Sequence, residues 1–156
     1  MSRRSIPLLL PLVLAALPAS AARAQDAQAQ LWNAAISGDT VALVHAIDAG
    51  ASVDSLDTRS NPNGRRALNW AAWNNRAAAI RILVARGATV NSSNLTGFSP
   101  LHHAAESGSL DAARALLAAR ADPLRLNNDG EIPADVARRK GFTALADTID
   151  AAVKRR

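Results

Sequence analysis

The 156-residue sequence contains no cysteine, and its aromatic residues make up only 3% of the chain. The lack of cysteine excludes disulfide frameworks, Cys-ligated zinc or iron–sulfur sites, thiol nucleophiles and lipid anchors attached through cysteine. The low aromatic content argues against a β-sandwich, whose core is rich in Val, Tyr and Phe. Because 49% of the residues are hydrophobic and alanine dominates them, the composition predicts one globular domain of closely packed helices.

The first 24 residues have the order of a secretory signal: Arg3 and Arg4, an apolar run over residues 6–17, and a segment of small residues. The apolar run is shorter than the ~20 residues that a spanning helix needs, and two prolines interrupt it, so an uncleaved anchor is the less favoured alternative. We predict cleavage before Gln25, with cleavage before Ala22 as the alternative. The mature protein is therefore expected in the periplasm or the medium, without membrane association.

The charge balance of the mature chain is close to neutral. The full sequence carries a formal net charge of +5, but three of its arginines lie in the predicted signal, so 15 basic residues remain against 13 acidic ones. A domain of this charge in this compartment is a poor candidate for binding nucleic acid. The sequence also has no G-x-S-x-G motif and no phosphate-binding glycine loop, and we predict neither a cofactor nor an enzymatic activity.

The mature chain repeats itself. The motif at residues 68–72 recurs at residues 101–105, a shift of 33 positions that also relates Gly64 to Gly97 and Gly97 to Gly130. An earlier copy at residues 31–35 lies 37 positions upstream, which places four extra residues between the first two units. Such a fixed period is typical of stacked repeats. Residues 25–156 thus form one repeat domain, with units at about 28–63, 64–96, 97–129 and 130–156.

The repeated motif resembles the ankyrin repeat, whose signature is G-x-T-P-L-H-x-A-A-x-x-G followed by V-x-x-L-L-x-x-G-A. The third unit matches it at Gly97, at residues 99–102, at Ala104 and Ala105, and at Gly108. The resemblance covers nearly all of the mature chain. It implies an all-α fold, an ankyrin repeat solenoid of four helix-turn-helix units linked by β-hairpin loops, and a monomer.

Two positions depart from glycine where the repeat requires a residue in the left-handed conformation. Asn75 and Arg120 stand at places where other units have glycine. We predict that both adopt positive φ angles, at a cost of ~1 kcal/mol for Arg120.

The resemblance also implies where a partner binds, because in ankyrin stacks the hairpins and the first helix of each unit line a concave groove. Transferred to this sequence, these positions predict a partner-binding surface for another protein, which the sequence does not identify. Its predicted members are Asn33, Ile36, Arg59, Arg65, Trp70, Trp73, Asn74, His103, Glu106 and Ser107. The structural alternative is that either tryptophan packs on the adjacent unit. Trp32, in another register, is predicted to pack under the first hairpin.

The favoured function is an exported protein–protein interaction module that assists or regulates an exported enzyme, and a mere structural spacer is a further alternative. A different class remains open, a small metal-dependent hydrolase, because His102, His103 and Glu106 share one helical turn. The ankyrin resemblance instead gives His102 a structural role, a hydrogen bond to the neighbouring loop. Asp54 and Asp57 are predicted to be solvated loop carboxylates.

Overall fold

The computed structural model describes residues 19–59 and 62–155, and their regular structure is helical throughout. Most of the predicted signal and residues 60 and 61 of the inserted segment lie outside these ranges. The helices are α1 (Ala19–Ser37), α2 (Thr40–Asp48), α3 (Ala67–Trp73), α4 (Ala77–Ala85), α5 (Pro100–Ser107), α6 (Leu110–Ala118), α7 (Pro133–Arg139) and α8 (Thr143–Val153). Successive helices pack as the pairs α1–α2, α3–α4, α5–α6 and α7–α8. The predicted all-α fold of four helix-turn-helix units is confirmed.

The units stack in two rows. The first helices of the units form an inner row in which α1 contacts α3, α3 contacts α5 and α5 contacts α7, while the second helices form an outer row. Paired alanines at 34–35, 71–72 and 104–105 are buried between the inner helices, and their small side chains let the helix backbones approach closely. The outer row contributes larger buried residues such as Leu43, Leu83 and Leu116. No unit buries its apolar face alone, so the array folds around one continuous core.

The turns inside the units confirm the predicted backbone exceptions. Among the described residues other than glycine, Asn75 and Arg120 have positive φ angles, 55° and 64°. The side chain of Asn75 has a further role, because its Oδ1 accepts a hydrogen bond from the backbone N–H of Ala112 at 2.9 Å. Ala112 lies in the first turn of α6, so the second unit caps a helix of the third.

The loops between units are short hairpins. Within the described ranges there is no extended strand, and the first hairpin closes on a single antiparallel bridge between Asp57 and Arg65. The second hairpin closes through the hydrogen bond from Asn94 N–H to the Phe98 carbonyl at 3.0 Å. The second hairpin is also hydrogen-bonded to the next one, since the backbone N–H of Asn128 donates to the carbonyl of Thr96 at 3.2 Å. The hairpins therefore form a second connected layer beside the inner row.

None of the helices in the ranges 19–59 and 62–155 has both the length and the apolar composition needed to cross a membrane.

Candidate functional site

Asp57 lies at the base of the first hairpin and binds two members of the predicted surface, Arg59 and Trp70. Its side chain is only 1% exposed, so the prediction of a solvated carboxylate is wrong. Arg59 donates from Nε and Nη2 to the two carboxylate oxygens at 2.8 and 2.9 Å, and its backbone N–H donates to Oδ1 at 3.1 Å. The indole Nε1 of Trp70 donates to Oδ2 at 3.1 Å. The carboxylate can be buried because the donors from the hairpin and α3 offset the cost of removing its charge from water.

These donors also set the charge state of Asp57. Burial alone raises the pKa of a carboxyl group, but the hydrogen bonds from Arg59 and Trp70 stabilise the ionised form more strongly, so the pKa of Asp57 is lowered from 3.8. Asp57 is therefore an anion paired with Arg59.

Asp54, the other carboxylate of this loop, joins two units instead. It accepts hydrogen bonds from the backbone N–H and the hydroxyl of Thr89, at 3.1 and 2.7 Å, and remains partly exposed. The two loop carboxylates thus bind different partners, Thr89 for Asp54 and Arg59 with Trp70 for Asp57.

Arg65 lies against the two tryptophans of α3. Its guanidinium carbon is 4.6 Å from the ring centroid of Trp70 and 4.4 Å from that of Trp73, both within the range of cation–π contact. No described residue accepts a hydrogen bond from this guanidinium, and its Nε is buried without a partner. Burial lowers the pKa of Arg65, an effect that the charge of Glu106 partly opposes. Trp70, Trp73 and Arg65 are all half-buried.

His103 lies beneath this pair of tryptophans and is only 2% exposed. Its ring meets Trp73 edge-on, with centroids 6.1 Å apart, and lies 5.5 Å from the ring of Phe98. Neither ring nitrogen has a hydrogen-bond partner among the described residues. Burial, with smaller contributions from the charges of Arg65 and His102, lowers the pKa of His103 to about 3. His103 is thus a neutral support for Trp73, and its side chain is not open to a partner. We call Arg65, Trp70, Trp73 and His103 the Trp–Arg cluster.

The next turn of α5 provides the rim of the cluster. The carboxylate of Glu106 lies 3.6 Å from Nζ of Lys140, which follows α7. Ser107 and Asn74 bind their own helices, since Ser107 Oγ donates to the His103 carbonyl and Asn74 Nδ2 donates to the Trp70 carbonyl, both at 2.9 Å. Glu106 and Lys140 are therefore the charged side chains of this rim.

The predicted residues of the first unit lie beside the first hairpin. Oδ1 of Asn33 accepts a hydrogen bond from Arg59 Nη2 at 3.4 Å, and the Ile36 carbonyl accepts one from Arg76 Nε at 3.1 Å. The prediction for Trp32 is confirmed, because its Nε1 donates to the carbonyl of Ser55 at 3.2 Å and Arg59 lies 4.8 Å from the centroid of its ring. Arg59 and Asp57 thereby connect the first unit to the Trp–Arg cluster.

His102 has a structural arrangement that is incompatible with the metal-site alternative. Its Nδ1 accepts a hydrogen bond from the backbone N–H of Ser99 at 3.2 Å, so the other ring nitrogen, Nε2, carries the hydrogen and donates to the Glu131 carbonyl at 3.0 Å. This is the loop contact that the resemblance implied. No group of three His, Cys, Asp or Glu residues in the described part of the chain is arranged to hold a metal ion.

A separate groove of about 1050 Å³ lies between α6 and α8 in the outer row. Its walls are mostly alanine and arginine, and they include none of the predicted binding residues. The residues in its walls are Arg114, Leu117, Ala118, Arg120, Ala121, Asp147, Thr148, Ala151, Ala152 and Arg155.

Sequence comparison agrees with the architecture. A family model described as "Ankyrin repeats (3 copies)" matches residues 31–127, more than half of the chain. The tyrosine-protein kinase Shark of Drosophila melanogaster is 38% identical over 127 residues, 81% of this chain but 13% of the kinase. Protein phosphatase 1 regulatory subunit 27 of Mus musculus is 38% identical over 82 residues, 53% of each chain. The B-cell lymphoma 3 protein homolog of Mus musculus is 33% identical over 102 residues, 65% of this chain and 22% of that protein. This chain thus aligns with about half or less of each of these relatives.

Proposed function

Because the chain belongs to the ankyrin-repeat family, we propose that it is an exported protein that binds another protein through its inner row and hairpins and has no catalytic activity of its own. Ankyrin repeats are protein–protein interaction modules. In this chain the inner row and the first hairpin carry the Trp–Arg cluster. The observation that carries the proposal is the half-buried position of Trp70 and Trp73 around Arg65. Tryptophan and arginine are the residue types most enriched at binding hot spots.

The surface is also ordered before any partner arrives. Trp70 is held by Asp57, Trp73 rests on His103, and the backbone of Arg65 is fixed by the bridge to Asp57. Side chains that are already immobilised lose less conformational entropy on binding, so such contacts contribute more of their energy to affinity.

We further propose that the partner is an exported enzyme that this protein assists or regulates. The similarity to a protein named a phosphatase regulatory subunit supports a regulatory role by analogy.

The signal-like order of residues 1–24 supports export, and the structure is compatible with cleavage at either predicted position. Ala27 is buried, and Gln28 exchanges two hydrogen bonds with the backbone of Ser52, at 2.8 and 3.1 Å. Both residues follow Gln25, so cleavage there or before Ala22 leaves these anchors of α1 in place. N-terminal sequencing of protein recovered outside the cytoplasm should begin at Gln25 or Ala22. Recovery of the protein in membranes with Met1 retained would refute the cleaved, periplasmic product.

A pull-down from the exported fraction tests the binding function. The purified exported protein serves as bait beside the double variant Arg65→Gln, Trp73→Ala and the outer-row control Arg114→Gln. We expect one partner to be retained by the wild type and the control and lost by the double variant, while all three baits remain folded by circular dichroism. Equal retention by all baits would show that the inner row is not the binding surface, and no retained partner would favour the spacer alternative.

A further inference from the structure

We propose that Arg65 is the receptor for a carboxylate of the partner, so that an Asp or Glu side chain docks on the guanidinium beside Trp70 and Trp73. This inference rests on the proposed function, because it names the chemistry of the partner residue at the same surface.

The hydrogen-bonding state of Arg65 is the first argument. A guanidinium has five N–H donors, and no described residue accepts any of those of Arg65. The buried unpaired atom is Nε; Nη1 and Nη2 are not among the buried atoms that lack a partner, and the residue as a whole is partly exposed. Arg59, the other arginine of this hairpin, is already paired with Asp57. Arg65 thus has N–H donors without acceptors among the described residues, at a position fixed by the first hairpin and α3.

The charges around the cluster are the second argument. Glu106 pairs with Lys140 at 3.6 Å and Asp57 pairs with Arg59 at 2.8 Å, so each neighbouring carboxylate already has a cation. His103 is buried and neutral. Arg65 itself forms no ion pair with any described residue, and the charge of Glu106 compensates it only in part, so a partner carboxylate would find an attractive positive charge there.

The neighbours of Arg65 also hold its guanidinium in one orientation. Arginine binds carboxylates through two parallel N–H···O bonds, and this requires the planar guanidinium to be held in one orientation. Two indole rings within 4.6 Å and a backbone fixed in the bridge to Asp57 hold it. The partner carboxylate then meets a donor pair that needs little further ordering.

Peptides selected from a random library on the purified exported protein provide the probe. Each selected peptide is synthesised again with its Asp or Glu residues changed singly to Asn or Gln. Affinities are then measured for the wild type, Arg65→Gln, Arg65→Lys and the outer-row control Arg114→Gln. Thermal unfolding of every variant shows that the comparison is made on folded protein.

We expect one acidic position whose amide variant binds the wild type and Arg114→Gln at least about tenfold more weakly, the range of a charge-assisted hydrogen bond. The same change should cost less than about threefold on Arg65→Gln, with Arg65→Lys between them, because lysine keeps the charge without the planar fork. If Arg65→Gln does not fold, the Arg65→Lys comparison decides.

The proposal would be overturned if the amide change lowered affinity equally for all protein variants. It would also be overturned if the selected peptides had no essential acidic residue, or if no selected peptide depended on Arg65 for binding. Binding through the inner row that is independent of Arg65 would leave the proposed function standing and remove only this inference.

Discussion

The indole Nε1 of Trp70 lies 3.1 Å from Oδ2 of Asp57, so an aromatic residue of the inner row and a buried carboxylate of the first hairpin hold each other in place. Trp70 therefore has a structural task as well as a position on the predicted binding surface. Trp73, one turn later on α3, contacts the ring of His103 and Arg65, and in the described part of the chain it has no such bond to a buried charge. The two tryptophans should respond differently to substitution.

Trp70→Phe is expected to lower the free energy of unfolding by about 1–2 kcal/mol, because it removes a donor from a buried carboxylate. Trp73→Phe keeps an aromatic ring against His103 and Arg65 and should cost less than about 1 kcal/mol. Urea denaturation of both variants at neutral pH measures the difference. Equal losses would mean that the bond to Asp57 adds nothing to stability.

Replacing Asp57 should make the free energy of unfolding less dependent on pH in the acidic range. The folded pKa of Asp57 is below its ordinary value, so its stabilisation is complete above pH 3.8 and is lost as the pH falls through the lower folded pKa. Asp57→Asn is expected to cost about 1–2 kcal/mol at pH 7 and clearly less at pH 3. Chemical denaturation at the two pH values provides the measurement. Asp48, whose exposed carboxylate pairs with Arg86 at 2.6 Å, offers the control, since Asp48→Asn should change stability by less than about 0.5 kcal/mol at neutral pH.

His103 should make the protein sensitive to mild acid. Its folded pKa of about 3 lies far below the ordinary 6.5, so protonation favours the unfolded chain and stability falls as the pH drops below 6.5. At pH 4.5 the loss from this residue reaches up to about 3 kcal/mol. His103→Leu should therefore flatten the decline between pH 7 and pH 4.5, and because neither ring nitrogen is paired, it should cost little at pH 7.

The flattening should be incomplete, because burial also lowers the pKa of His102. The exposed His45 of α2 supplies a matched surface substitution, and His45→Leu should change stability at pH 7 by less than about 0.5 kcal/mol. If the free energy of unfolding of His103→Leu fell with pH as steeply as that of the wild type, the acid sensitivity would come from residues other than His103.

Arg120 and Gly87 stand at the same position of consecutive units and should give opposite results. Arg120→Gly relieves a positive φ of 64° and is expected to raise the free energy of unfolding by about 0.5–1 kcal/mol. Gly87→Ala introduces a side chain at φ 90°, with no neighbouring atom within 4 Å, so its expected loss of about 1 kcal/mol is purely conformational. Thermal or urea unfolding checks both, and a destabilising Arg120→Gly would mean that the arginine side chain makes a compensating contact.

The repeat pattern predicted the fold and several single positions. The spacing of 33 placed Asn75 and Arg120 at glycine positions, and backbone geometry there depends only on the turn, so their positive φ angles followed. The ankyrin resemblance predicted the structural role of His102, and the Glu131 carbonyl of the next hairpin accepts its hydrogen bond.

The burial of Asp57 and His103 depended on contacts that the pattern does not contain. Asp57 shares its register with Asn94 and Asn127, whose side chains also accept the backbone N–H two residues later. That alignment, displaced by the four inserted residues, was the available signal that Asp57 is structural. His103 occupies a groove position in the repeat, but Trp73 and Phe98 cover it, and only the three-dimensional packing of two units shows this.

The cap that Asn75 provides for α6 gives the array a fixed order of modules. At the equivalent place the third unit has Gly108, which carries no side chain that could accept a hydrogen bond. A duplicate of the third unit inserted behind the original would therefore start its outer helix without the bond that Ala112 now receives. The units share a period but are not interchangeable parts, and a third unit duplicated in this way would need an asparagine in place of Gly108 in the preceding copy to restore this bond.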